Sequence, residues 1–171
     1  MKGKWAEGIQ PRNFAWVIKE RLAVCERPGG YGTHHRRVRR QEEIIWIRQQ
    51  EFDLVVSLIP SPHNLHNYEE LGLPYLHRPW PSHDQLSSYL GGLHDEISET
   101  LAGGRRVLIH QEEVGDRVCG LTAAHLLMAE LVPSGPQATA IVERIFHRSL
   151  GPIGRELVEL ALELRDARSA S

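Results

Sequence analysis

The apolar residues of this chain fall into short β-branched runs separated by longer stretches with helical spacing. Phe14-Ala15-Trp16-Val17-Ile18 and Leu22-Ala23-Val24 read as two short strands on either side of the charged Lys19-Glu20-Arg21. Arg27-Pro28-Gly29-Gly30-Tyr31-Gly32 is a loop, because a proline and three glycines hold no regular element. A helix is predicted from Arg37 to about Gln50, with Val38, Ile44, Ile45 and Ile47 as its apolar contacts. Asp53-Leu54-Val55-Val56-Ser57-Leu58-Ile59, closed by Pro60 and Pro62, has the form of a buried parallel strand.

Further along, a short helix near residues 64–71 precedes a strand at 73–77. Leu86, Leu90, Leu93, Ile97 and Leu101 recur at helical spacing, and Gly103-Gly104 stops that helix. The strand Arg106-Val107-Leu108-Ile109-His110 comes next, then a loop over 111–116 and a long apolar helix over 117–131. Pro133-Ser134-Gly135-Pro136 breaks the chain before a helix at 137–146. A last amphipathic helix carries Leu157, Leu160, Ala161 and Leu164 on one face, with residues 167–171 expected to fray. Strands alternating with helices predict an α/β fold, a central and mostly parallel sheet flanked by helices. No internal repeat or low-complexity segment interrupts it.

Composition narrows the picture. At 171 residues, 41% of them hydrophobic, the chain reads as one domain, with an arm over residues 1–12 and the frayed tail at 167–171. Twenty Lys and Arg against 22 Asp and Glu leave a net charge of -2, which argues against a generic binder of nucleic acid or membrane surfaces. The start has no apolar core of a signal peptide. The longest mostly apolar run, residues 121–132, contains His125 and Glu130 and is too short to span a bilayer. With only Cys25 and Cys119 as thiols, a reducing cytoplasm is the expected setting.

Ligands of α/β sheets bind at the carboxyl ends of strands, where a turn into a helix offers unpaired N–H groups and the positive end of a dipole. The turn at that place reads His110-Gln111-Glu112-Glu113-Val114-Gly115-Asp116-Arg117. It resembles the phosphate-binding loop of the compact dual-specificity branch of the cysteine-dependent protein tyrosine phosphatases, whose signature is His-Cys, five residues, then Arg. The order of other segments is similar too: Phe14-Ala15-Trp16-Val17, Leu22-Ala23 with Arg27-Pro28-Gly29, Val55-Val56-Ser57-Leu58, and Tyr75-Leu76-His77-Arg78-Pro79.

That resemblance implies a thiolate nucleophile where this chain has Gln111. A neutral amide has no acidic proton to lose near neutral pH and forms no phosphocysteine. Val118 stands where the family usually has Ser or Thr, and Val114 and Asp116 replace positions that are often glycine. Three carboxylates, Glu112, Glu113 and Asp116, accompany Arg117. Facing an anion at about 4 Å in an effective dielectric of about 20, each would oppose binding by roughly 4 kcal/mol; turned to solvent they would not.

The family's general-acid loop corresponds to Trp80-Pro81-Ser82-His83-Asp84, so Asp84 is either a proton donor or a first-turn acid for the helix that follows. Arg117 either grips an anion through its planar fork or pairs with Glu112, Glu113 or Asp116. His110 is implied to fix the loop through backbone hydrogen bonds. Cys119 and Cys25 read as structural thiols. Arg36, Arg37, Arg39 and Arg40 form either a docking patch for an acidic or phosphorylated partner or a solvated helix face. Ten histidines include the close pair His63 and His66, yet no HExxH pattern or thiol spacing supports a metal, and no cofactor loop is present.

The resulting expectation is a catalytically inactive phosphatase-like protein that binds a partner or an anionic ligand through residues 110–117. Its rivals are a weak phosphatase working through Asp84 or His83, and a scaffold that uses only the arginine patch.

Overall fold

The structure is a computed structural model that describes residues 8–29, 37–62 and 64–171. Contacts group the chain into two compact units, residues 1–80 with 100–113 and residues 81–99 with 114–171.

The first unit is built on a five-stranded sheet. Its strands are β1 Ala15–Ile18, β2 Leu22–Glu26, β3 Leu54–Ser57, β4 Tyr75–His77 and β5 Val107–Gln111, in the order β1-β2-β5-β3-β4. Only β1 runs antiparallel to its neighbour; the rest of the sheet is parallel, as the alternation of elements predicts. Leu108 of β5 sits in register between Ala23 and Val55, and Ile109 between Val24 and Val56. All six are at most 1% exposed, which is why these strands read as unbroken apolar runs.

Helices α1 Arg37–Gln49 and α2 His66–Glu70 belong to the same unit. Ile44 and Ile47 of α1 join Ala23, Cys25, Val55 and Leu108 of the sheet, with Phe52 and Tyr68, in one core. Trp16 stacks on Phe52 with ring centroids 5.3 Å apart, and Phe14 meets Trp46 edge-on at 4.9 Å. Val38, expected among the contacts of α1, is instead 60% exposed. The buried positions of the helix are Arg40, Glu43, Ile44 and Ile47, an i, i+3, i+4, i+7 stripe, and Val38 lies off that stripe. The described end of the N-terminal arm is docked: Ile9 N–H donates to the Glu42 carbonyl (3.1 Å) and Glu26 N–H to the Arg12 carbonyl (3.0 Å).

The second unit is helical. A 3-10 turn at His83–Gln85 leads into α3 Leu86–Ala102, whose last three residues group with the first unit, followed by α4 Asp116–Met128, α5 Gly135–Phe146 and α6 Pro152–Ser169. Leu86, Leu90, Leu93 and Ile97 are buried, as their spacing predicts. Residues 118–128 of α4 are buried on every side, so this helix carries no polar face.

Helices α4 and α6 cross at two glycines. A Cβ on Gly120 would lie 2.5 Å from the Gly154 Cα and 3.0 Å from Leu157 Cδ1. Helix α5 starts at Gly135, two residues before the periodic pattern, because Ser134 caps it and Pro136 fits its first turn. The expected fraying of residues 167–171 gives way to a helix that runs to Ser169, where the Arg168 guanidinium donates to both Asp95 oxygens at 2.8 and 3.2 Å. Among the described residues no helix is long and apolar enough to cross a membrane.

Candidate functional site

Strands β2, β5 and β3 end side by side, with Cys25, His110 and Ser57 in one row across them. The His110 ring is buried and fully partnered: the Tyr68 hydroxyl lies 2.7 Å from Nδ1 and the Ser57 hydroxyl 2.7 Å from Nε2. Burial, with Arg27 and His77 nearby, pushes its pKa down to about 3, so the imidazole is neutral, one nitrogen donating and the other accepting. The sequence implied bonds from His110 to the loop backbone. The ring is held instead by two hydroxyls from β3 and from α2, 53 and 42 residues away, neither of which the loop motif could reveal.

A cavity of about 20 Å³ beside this ring, room for one water, is bordered by Arg27, Arg40, Tyr68 and His110. Glu43 is buried near it, accepting from Gly29 N–H (2.8 Å) and from Arg39 Nε (2.7 Å). Gly29 has φ of 86°, a conformation that glycine adopts without strain, and Glu43 holds this turn after β2.

Gln111 is the last residue of β5; it stands opposite Glu26 of β2, and its carbonyl accepts from Arg27 N–H at 2.8 Å. Glu113 is exposed, while Glu112 and Val114 are half-buried. Gly115 is the N-cap residue of α4, its carbonyl accepting from Cys119 N–H at 3.0 Å, and Val118 is fully buried. Arg117, the second residue of the helix, is exposed. Asp116 has another role: one carboxylate oxygen accepts from Gly151 N–H (2.6 Å) and the other from Gly154 N–H (3.0 Å), at the N-terminus of α6.

Neither thiol is poised for chemistry. Burial raises the Cys119 pKa to about 11, with Asp116 adding to the rise and Arg148 opposing it. Cys25 is fully buried and its pKa is also raised, by burial first and then by Glu43 and Glu26.

Asp84 is exposed in the 3-10 turn that precedes α3, and its carboxylate accepts from the Ser82 hydroxyl at 2.7 Å. Its neighbour His83 lies 2.6 Å from Glu156 of α6. Among the arginines, Arg37 is exposed, Arg39 pairs with Glu43, and Arg40 is buried with Nε donating to Asn67 Oδ1 at 2.6 Å. Arg36 lies outside the described residues, as does His63 of the histidine pair. Among the described residues no three His, Cys, Asp or Glu side chains converge on a point where a metal would sit.

No family model and no curated protein matches the chain by sequence. Solved structures match it by fold. A kinase-associated phosphatase whose catalytic cysteine is replaced by serine superposes with a TM-score of 0.74 at 19% identity, covering 95% of this chain and 98% of that one. Tk-PTP in its active form gives 0.69 at 23% identity, with coverage of 90% and 97%. Human DUSP28 gives 0.65 at 14% identity, with coverage of 95% and 99%. The chain has the fold of the dual-specificity and protein tyrosine phosphatases.

Proposed function

We propose that this protein is a pseudophosphatase, which keeps the phosphatase fold without the hydrolytic chemistry and binds an anionic or phosphorylated ligand at the first turn of α4. The observation that carries the reading is the side chain at the end of β5. In the family this position supplies a thiolate, and here it is the amide of Gln111, while Cys25 and Cys119 are buried with raised pKa values.

What remains of the turn suits binding. The first N–H groups of α4 have no partner within the helix, and its dipole favours an anion there. Arg117, exposed at the second helical position, supplies a planar fork that matches phosphate oxygens. Within the arginine patch Arg40 is buried and Arg39 half-buried, so these two present little charge to a partner. We extend the reading to a phosphorylated protein partner and a regulatory role; the cytoplasmic setting is supported by the two free thiols, Cys25 and Cys119.

Titration with inorganic phosphate, followed by amide chemical shifts, tests it. Shifts that saturate on residues 114–118 in the wild type and vanish in Arg117→Ala support the proposal. Shifts that persist in Arg117→Ala, or a wild type that does not respond, contradict it.

A further inference from the structure

Asp116 stands directly before the arginine proposed to hold the anion, where a carboxylate is expected to repel it. Both of its oxygens are instead committed to backbone N–H groups at the start of α6, Gly151 at 2.6 Å and Gly154 at 3.0 Å. Gly151 is the N-cap residue of that helix and Gly154 lies in its first turn, so Asp116 does from α4 what a capping side chain does locally. Gly151 has no side chain of its own with which to cap. The two glycines also make the room: a Cβ on Gly151 would come within 2.8 Å of an Asp116 oxygen, and one on Gly154 would overlap the carboxylate and approach Leu150 Cδ2 at 2.9 Å. The positive end of an 18-residue helix thus offsets the charge of Asp116.

We infer that Asp116 is a positioning residue, whose carboxylate, seated on the N-terminus of α6, fixes the first turn of α4 and thereby the placement of Arg117 for anion binding. This rests on the anion-binding reading above. Asp116 itself touches no ligand. It acts through the backbone: it is the first residue of α4, Gly115 before it closes the turn through Cys119 N–H, and Arg117 follows it. Helix α6 is in turn packed on α4 at Gly120 and Gly154, so the tether joins two elements that already meet at a close crossing.

Charge and positioning predict opposite signs. Asp116→Asn removes a negative charge near Arg117, so a purely electrostatic role predicts tighter binding of inorganic phosphate. Positioning predicts weaker binding, by about tenfold, the equivalent of one lost cap. Gly151→Ala is the second variant. It keeps the charge, its φ of -88° suits alanine, and its methyl displaces the carboxylate, so it should weaken phosphate binding in the same direction.

Amide hydrogen exchange without ligand gives a readout that does not need binding. Both variants should speed exchange of the Gly151 and Gly154 amides and of residues 117–119, with helical circular dichroism retained. Tighter phosphate binding by Asp116→Asn, or exchange at those amides unchanged from the wild type, overturns the inference. A wild type that binds no phosphate defeats the anion-binding reading instead, and the exchange comparison alone then decides whether Asp116 holds the turn.

Discussion

His94 and His125 face each other in the helical unit, their Nδ1 atoms 3.0 Å apart and ring centroids 4.8 Å apart. One Nδ1 carries a proton and the other is bare, while the Ser98 hydroxyl lies 3.2 Å from His94 Nε2. Burial lowers the pKa of His94, with Arg168 adding to the effect and Asp95 opposing it, and burial with His94 beside it lowers that of His125 to about 3.

Both folded pKa values lie below the roughly 6.5 of an unfolded histidine, so below about pH 6.5 the unfolded chain binds more protons, for His125 down to about pH 3. The stabilisation is complete above that window and is lost as pH falls through it, by up to about 1.4 kcal/mol per pH unit for each proton taken up. Buried His110, also at about 3, contributes in the same direction. Urea denaturation at pH 7, 6 and 5 should show falling stability. The double variant His94→Leu/His125→Leu should have a shallower slope, and an identical slope would refute the assignment.

Tyr68→Phe leaves one nitrogen of the buried His110 ring without its partner 2.7 Å away. The expected loss is about 1–3 kcal/mol in urea denaturation, the cost of an unsatisfied buried polar atom. Ser57→Ala should cost a similar amount, and because both hydroxyls serve one ring the double variant should depart from additivity. Strict additivity would mean that the three groups do not act as a chain.

Gly120→Ala places a methyl 2.5 Å from the Gly154 Cα, against backbone that has nowhere to move. Overpacking of this kind costs about 1–3 kcal/mol, so the melting temperature should drop by several degrees. A neutral substitution would show that α4 and α6 do not approach as closely as described.

Thiol accessibility separates a buried Cys119 from a displaced nucleophile. With Cys25 at 0% and Cys119 at 1% exposure, the native protein should not react with dithiobis(nitrobenzoate) at pH 8. In denaturant both thiols should react. Fast reaction of one thiol in the native state would reopen the question of a cysteine-based activity.

The sheet was legible because both faces of its strands are covered, which leaves runs such as Val107-Leu108-Ile109 with no polar interruption. Helix α3 was legible from the spacing of Leu86, Leu90, Leu93 and Ile97. What escaped the sequence depends on partners distant along the chain. Val38 looked like a core residue until Arg40, Glu43, Ile44 and Ile47 defined the buried stripe of α1, and two of those four are charged. Arg40 reads as surface charge because its partner Asn67 is 27 residues away. Residues 167–169 looked like a tail because their tether is Asp95.

At the loop, the sequence located Gln111 at a strand end and Arg117 in the first turn of a helix, since a β-branched run followed by an apolar helix has few other readings. It did not reveal where Asp116 points. The glycines that receive its carboxylate lie 35 and 38 residues downstream, and a glycine carries no mark of which side chain it admits. The hydroxyls of Tyr68 and Ser57 on His110 were hidden for the same reason.

Release of p-nitrophenolate from p-nitrophenyl phosphate tests most directly the proposal that this phosphatase fold, with Gln111 at the end of β5, does not turn over phosphoesters. The wild type is expected to release no more than Arg117→Ala does. Turnover by the wild type that is abolished in Arg117→Ala would contradict it.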